Sequence, residues 1–260
     1  MLSITPIPAF NDNYIWHLQE GGQHWVVDPG DFTPVERALK GKKLSGILIT
    51  HHHLDHTGGI DALYQRYQCP VYGPRGIAGI THPLADGDSV KVLGMSLTVQ
   101  AVPGHTLDHL AFVLNETTAS TEEQLHLFCG DTLFAAGCGR LFEGTPEQMY
   151  LSLLKLSKLP PSTHVYCTHE YTLANLRFAQ TVEATNPIIA ERIAHCEKLR
   201  ADNKATLPST IGLELDSNPF LRCHLPQIAK SVAAHGAHSK QQRDSAVNVF
   251  AGLRGWKDQC

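Results

Sequence analysis

Short apolar runs recur through the first two thirds of the chain, each stopped by Gly, Pro, Asp or His. Residues 44–49 read Leu-Ser-Gly-Ile-Leu-Ile, 96–102 alternate towards Val102, 127–129 read Leu-Phe-Cys, and 163–167 read Thr-His-Val-Tyr-Cys. Apolar runs of this length between turn residues predict buried strands. Runs at 25–30, 71–74 and 109–114 predict three more. After Thr57-Gly58-Gly59 the pattern resumes at helical spacing over 60–64.

Near residue 170 the periodicity changes. Residues 172–184 read as a helix, as do 188–201, where Ile189, Ile193, Cys196 and Leu199 fall on one stripe. A third helix is predicted over 244–253, capped by Ser245 or Asp244. The shift predicts a strand-rich domain at 1–170 and a smaller helical domain at 171–260. The Ser-, Thr- and Glu-rich stretch 116–124 reads as a surface loop. No internal repeat or low-complexity segment interrupts this plan.

The predicted strands share a chemical feature at their C-terminal ends, where open α/β sheets place functional loops. The run at 44–49 leads into Thr50-His51-His52-His53-Leu54-Asp55-His56, whose frame is His-x-His-x-Asp-His. Imidazoles and carboxylates delivered together by a buried strand can form a metal site from local sequence. Three other strands end in Pro103-Gly104-His105-Thr106, Gly130-Asp131-Thr132 and Thr168-His169-Glu170. Each of His105, Asp131 and His169 alone also reads as a capping or hydrogen-bonded residue. Together with the cluster they read as ligands.

Composition bounds the remaining choices. At 260 residues the chain suits one large domain or two modest ones, and 42% hydrophobic with 18% charged residues describes a soluble globular protein. Its apolar runs are too short to span a bilayer, and residues 1–6 lack the basic and apolar regions of a secretory signal. Seven cysteines, an odd number without Cys-x-x-Cys pairing, point to reduced thiols. A formal charge of −4 offers no basic field for nucleic acid. The expectation is a cytoplasmic monomer acting on a small molecule, with no nucleic-acid or membrane partner.

The ordered set His-x-His-x-Asp-His, Pro-Gly-His-Thr, Gly-Asp-Thr and His resembles the metallo-β-lactamase superfamily. The resemblance implies an αββα sandwich, two mixed sheets face to face with helices outside. It also implies two divalent metals, zinc first, with iron or manganese as alternatives. By resemblance His51, His53 and His105 hold the first metal and Asp55, His56 and His169 the second, with Asp131 bridging. His52, the x of the motif, is expected to point away.

Residues 131–145, together with Asn11-Asp12-Asn13-Tyr14, Thr168-His169-Glu170-Tyr171-Thr172 and Arg254-x-x-Lys257-Asp258, are similar to the glyoxalase II, or hydroxyacylglutathione hydrolase, family. That likeness runs from Ile7 to Asp258. It implies hydrolysis of S-(2-hydroxyacyl)glutathione, S-D-lactoylglutathione above all, by a metal-bridging hydroxide, in the disposal of methylglyoxal. Asp55 and Asp131 become the catalytic carboxylates, Asp55 orienting the hydroxide or taking its proton. Arg140, Tyr171, Arg254 and Lys257 become contacts for the glutathione moiety, whose carboxylates suit such cations.

Three positions depart from the family pattern: Phe142 where some relatives carry tyrosine, Asp108 where glycine is commoner, and Cys260 where an aromatic is commoner. The ligand motif also suits a persulfide dioxygenase of the same fold. Residues 141–145 with Arg254 and Lys257 favour the thioesterase.

Overall fold

The computed structural model describes residues 1–117, 123–236 and 245–260. The chain divides into two compact units: Met1–Val102 with Asp108–Gly130 and His164–His169, and Pro103–Leu107 with Asp131–Thr163 and Glu170–Cys260.

The first unit contains a sheet in sequential order, β1 (Ser3–Ala9), β2 (Asn13–Glu20), β3 (Gln23–Val27), β4 (Gly46–Leu48), β5 (Val71–Pro74) and β6 (His82–Leu84). Its β1–β2–β3 portion is antiparallel and β3–β4–β5–β6 is parallel. Parallel strands are buried on both faces, which is why β4 shows a continuous apolar run instead of alternation. The connections use α1 (Phe32–Leu39), α2 (Leu54–Thr57) and α3 (Ile60–Tyr67). Ile15, Val26, Val35, Leu39, Ile47, Ile49, Leu63 and Val71 pack into one core.

A second sheet in this unit runs β13 (His164–Cys167), β10 (Glu123–Gly130), β9 (Leu110–Thr117), β8 (Met95–Ala101), β7 (Ser89–Val92). Only β10–β13 is parallel in that run. The buried Trp16 of β2 ties the two sheets together. Its indole N–H donates to the Cys167 carbonyl at 3.0 Å, and its ring meets Tyr166 edge-on at 4.9 Å.

The stretch 116–124 is not a loop throughout. Glu123 pairs with Thr117 and Gln124 with Glu116, extending the β9–β10 ladder, while residues 118–122 lie outside the described residues. Glu116, Glu123 and Gln124 are polar and half-buried or exposed, so no apolar run marks these strand ends.

The second unit holds a two-stranded hairpin, β11 (Leu133–Phe134) and β12 (Gly137–Cys138), and most of the helix. Its helices are α4 (Pro146–Leu156), α5 (Thr172–Val182), α6 (Pro187–Ala201), α7 (Ile211–Ser217), α8 (Pro226–Ala234) and α9 (Ala246–Lys257). Thr145 and Gln148 form a reciprocal capping box on α4. Leu176 and Ala179 of α5 meet Ile189 and Cys196 of α6 in a core that includes Ala136.

Helix α9 begins two residues later and ends four later than 244–253. Ser245 is its N-cap, accepting from the Asn248 N–H at 3.2 Å, and Asp244 lies outside the described residues. All seven cysteines are free thiols and six are buried.

Candidate metal centre

Where β4 ends, the chain delivers Thr50 and His51 into the interior and then turns into α2, a single turn carrying Asp55 and His56. The four ring-bearing positions of the cluster are therefore split between extended backbone and a helical turn. That split separates their directions. His51 is fully buried, His53 is half-buried, and His51 Nε2 lies 3.0 Å from His53 Nδ1. His52 turns to Asp108, with its Nδ1 at 3.0 Å from both carboxylate oxygens.

Three further candidate ligand atoms converge in the same unit. Those of Asp55, His56 and His169 all lie within 4.8 Å of one another. The Nε2 atoms of His56 and His169 are each 3.5 Å from Asp55 Oδ2. The other nitrogen of each ring leans on a carboxylate: His56 Nδ1 on Asp28 Oδ2 at 3.0 Å, and His169 Nδ1 on Asp12 Oδ1 at 2.7 Å. A ring that donates Nδ1–H to a carboxylate presents a basic Nε2 lone pair, the arrangement metal-binding histidines use. Asn13 Nδ2 donates to Asp55 Oδ2 at 2.9 Å and fixes that carboxylate.

Asp28 organises this group from below. It follows β3 in the left-handed region (φ 53) and is 2% exposed. It accepts from the Thr50 N–H at 2.8 Å and the Thr50 hydroxyl at 2.7 Å, besides its contact with His56. Gly30, two residues on, lets α2 approach, because a Cβ there would sit 1.9 Å from the Asp55 carbonyl oxygen.

His105 and Asp131 belong to the second unit. His105 Nδ1 lies 2.9 Å from the Arg140 carbonyl oxygen, and its Nε2 lies 3.4 Å from Asp131 Oδ2. Here too one ring nitrogen is engaged by an oxygen and the other faces a carboxylate. Gly139 makes room for the pair: a Cβ there would meet the Asp131 carbonyl oxygen at 1.9 Å and His105 Nδ1 at 3.1 Å. Both residues line a cavity of about 460 Å³, together with Arg140, Tyr171, Asn175, Arg254 and Lys257.

The cavity's cations differ in freedom. Arg254 is buried; it donates to the Cys138 carbonyl at 2.9 Å and to Asp258 at 2.9 Å, and stacks 5.2 Å above Phe220. Lys257 sits 5.1 Å over the Phe178 ring. Burial, and then the neighbouring Arg254 charge, push its pKa below the usual lysine value. Arg140 is largely exposed, 3.6 Å from Asp258. Tyr171 stands edge-on to Phe134 at 5.4 Å, and Phe142 packs edge-on to His105 at 5.2 Å.

The donor chemistry fits divalent metal ions. Imidazole and carboxylate donors suit zinc, iron and manganese, and rings pinned at the far nitrogen cost little to order around an ion. Asp28 and the orienting role of Asp12 were not read from the sequence. Asp12 stands in the Asn-Asp-Asn motif, but Asp28 shows only as punctuation after an apolar run.

Comparison with known proteins agrees with the geometry. Residues 11–169 match the model of the metallo-beta-lactamase superfamily, which sets the class of the fold. Among solved structures, ETHE1 from Myxococcus xanthus is similar at 22% identity with a TM-score of 0.62, covering 97% of this chain and 99% of that one. Residues 170–260 match the hydroxyacylglutathione hydrolase C-terminus model. The hydroxyacylglutathione hydrolases of Pseudomonas putida KT2440 and Chromohalobacter salexigens are each 51% identical, over 99% and 100% of both chains respectively. The chain belongs to the hydroxyacylglutathione hydrolase family.

Proposed function

We propose that the chain carries out its family's reaction, hydrolysis of S-(2-hydroxyacyl)glutathione, S-D-lactoylglutathione first, to glutathione and the 2-hydroxy acid. Two divalent metals, zinc by preference, would serve it: His51, His53 and His105 would hold one, Asp55, His56 and His169 the other, and Asp131 would serve both. One observation carries this reading: the cavity lined by the cations Arg140, Arg254 and Lys257 is also lined by His105 and Asp131. Anion-binding side chains and metal donors thus face the same volume, as a substrate with an anionic carrier and a reactive carbonyl requires.

Metals bound there would lower the pKa of a water ligand and polarise the thioester carbonyl. The chain's own side chains do the rest. Asp28 and Asp12 hold His56 and His169 in one tautomer and one orientation. Asp55, kept in place by Asn13, orients the attacking water and accepts its proton. The leaving thiolate has a conjugate acid of pKa about 8.5, so it departs without a strong general acid. Arg140 and Lys257 bind the glutathione carboxylates, Arg140 through a two-pronged contact and Lys257 as a point charge. Arg254 contacts the glutathione moiety from the cavity wall, braced on the Cys138 carbonyl. Tyr171, edge-on to Phe134, contacts that moiety on the apolar side.

The enzyme works as a cytoplasmic monomer in methylglyoxal detoxification. Among the described residues, no helix is long and apolar enough to cross a membrane.

The test is release of free thiol from S-D-lactoylglutathione by purified protein of known metal content. Turnover abolished both by chelation and by Asp131→Ala supports the reading. No turnover with about two metals bound per chain discards the substrate. Oxygen uptake with glutathione persulfide in that case would point to the dioxygenase instead.

A further inference from the structure

The hairpin β11–β12 joins two residues of the proposed site, Asp131 before it and Arg140 after it, and its own Phe134 and Cys138 line the cavity. Its two-residue turn is Ala135-Ala136, and Ala136 sits in the left-handed region (φ 55). Tight hairpin turns that need a positive φ favour Gly, Asn or Asp, because a Cβ is crowded there. An alanine in that conformation persists only where its surroundings determine it.

Here the surroundings are side chains of the C-terminal helices. The Ala136 N–H donates to Glu214 Oε2 at 2.7 Å. Asn218 Nδ2 donates to the Gly137 carbonyl at 2.9 Å, to the Phe134 carbonyl at 3.2 Å and to Glu214 Oε2 at 3.0 Å. Asn175 Nδ2 donates to the Ala135 carbonyl at 3.1 Å. Glu214 is completely buried, and its other oxygen is taken by Arg192 and the Ser209 hydroxyl.

A buried ion pair of this kind is a poor source of stability, since an apolar pair of similar volume often serves as well. What it supplies is a fixed acceptor at one place, directly under the strained turn. The inference rests on the reading of the cavity as the glutathione site. We propose that Glu214 and Asn218 are positioning residues for substrate: by fixing the Ala136 turn they set the cavity wall from Phe134 to Arg140.

The experiment compares two thioesters, S-D-lactoylglutathione and S-D-lactoyl-N-acetylcysteamine, which keeps the reacting bond but lacks the glutamyl and glycyl carboxylates. The enzymes are wild type, Glu214→Gln, the milder Asn218→Ser, and Glu214→Gln combined with Ala136→Gly, each with its metal content measured. The expected result for both single variants is a KM for the glutathione thioester raised about tenfold, with kinetics on the truncated thioester within about twofold. Glycine adopts the turn without help, so Ala136→Gly restores most of the lost KM in the Glu214→Gln background.

Parallel losses on both thioesters, following the folded fraction, would reduce the network to a purely structural one and overturn the proposal. So would an unchanged KM in both single variants, or no recovery in the double variant. If wild type itself fails to discriminate the two thioesters, the glutathione reading of the cavity falls, and this inference falls with it. If wild type discriminates and the variants do so equally well, the inference alone fails.

Discussion

In the histidine cluster the rings are held through oxygen, whereas in the cavity the cations are held largely through aromatic faces and backbone. His56 and His169 lean on the carboxylates of Asp28 and Asp12, and His51 Nδ1 lies 3.1 Å from the Thr50 hydroxyl. Arg254 and Lys257 instead lie over Phe220 and Phe178, and the Arg254 charge, after burial, lowers the Lys257 pKa. The cluster thus concentrates lone pairs and negative charge, and the cavity concentrates the cations Arg140, Arg254 and Lys257, with Asp258 beside the two arginines. Each region is electrostatically incomplete in the sense opposite to its proposed ligand: cations for the cluster, a carboxylate-bearing peptide for the cavity.

The comparison breaks most severely at Asp131. In Asp131→Ala, kcat/KM for S-D-lactoylglutathione should fall by about three orders of magnitude, the scale of losing a full electrostatic stabiliser. Metal analysis of the same protein should show reduced stoichiometry; full activity with full metal content would remove Asp131 from the site.

Asp28→Asn tests the oxygen support. It keeps the shape but changes what His56 Nδ1 meets, and metal affinity or turnover should drop about 10- to 100-fold. A chelator competition that gives wild-type affinity would show that Asp28 serves only the backbone turn.

On the cavity side, Lys257→Ala should raise KM for the glutathione thioester about tenfold while metal content stays at the wild-type level. Loss of metal in that variant would contradict the division of labour between the two regions.

The smallest effect concerns a buried pair in β2 and β3. His17 and His24 are both buried, with Nε2 and Nδ1 3.0 Å apart. Burial, the partner ring and Lys42 hold the His17 pKa below 6.5; burial and Lys42 do the same for His24. The unfolded chain therefore takes up protons near pH 6.5 that the folded chain refuses, and stability present above that pH declines as the solution is acidified. Replacing His17 with Gln should shrink the fall in Tm between pH 7.5 and 5.5 by a few degrees. An identical acid slope in both proteins would clear this pair of any part in it.

Much of this was legible along the chain because the information is local. Strands β4, β5, β8 and β13 announce themselves as apolar runs closed by turn residues, and the cluster at 51–56 is a contiguous motif. Helix α6 shows its stripe directly, with Ile189 and Cys196 buried and Ile193 and Leu199 half-buried. The ends of elements were less legible. Helix α9 runs past Leu253 to Lys257, because its last turn is polar on the outside while Arg254 is buried through its stem and ring contact. The ends of β9 and β10 were missed for a similar reason.

By itself the sequence determined the order of the proposed donors along the chain and which strand end presents each one, since these follow from period, turn chemistry and residue type. Only the tertiary structure decided what holds them. Asp12 reaches His169 across 157 positions and Asp28 reaches His56 across 28. No periodicity encodes such a pairing, because a hydrogen bond is satisfied by geometry at a few ångströms and that geometry exists only after the sheets have formed. The same holds for the turn at Ala136, whose residue type argues against its conformation until Glu214 and Asn218 are brought beneath it.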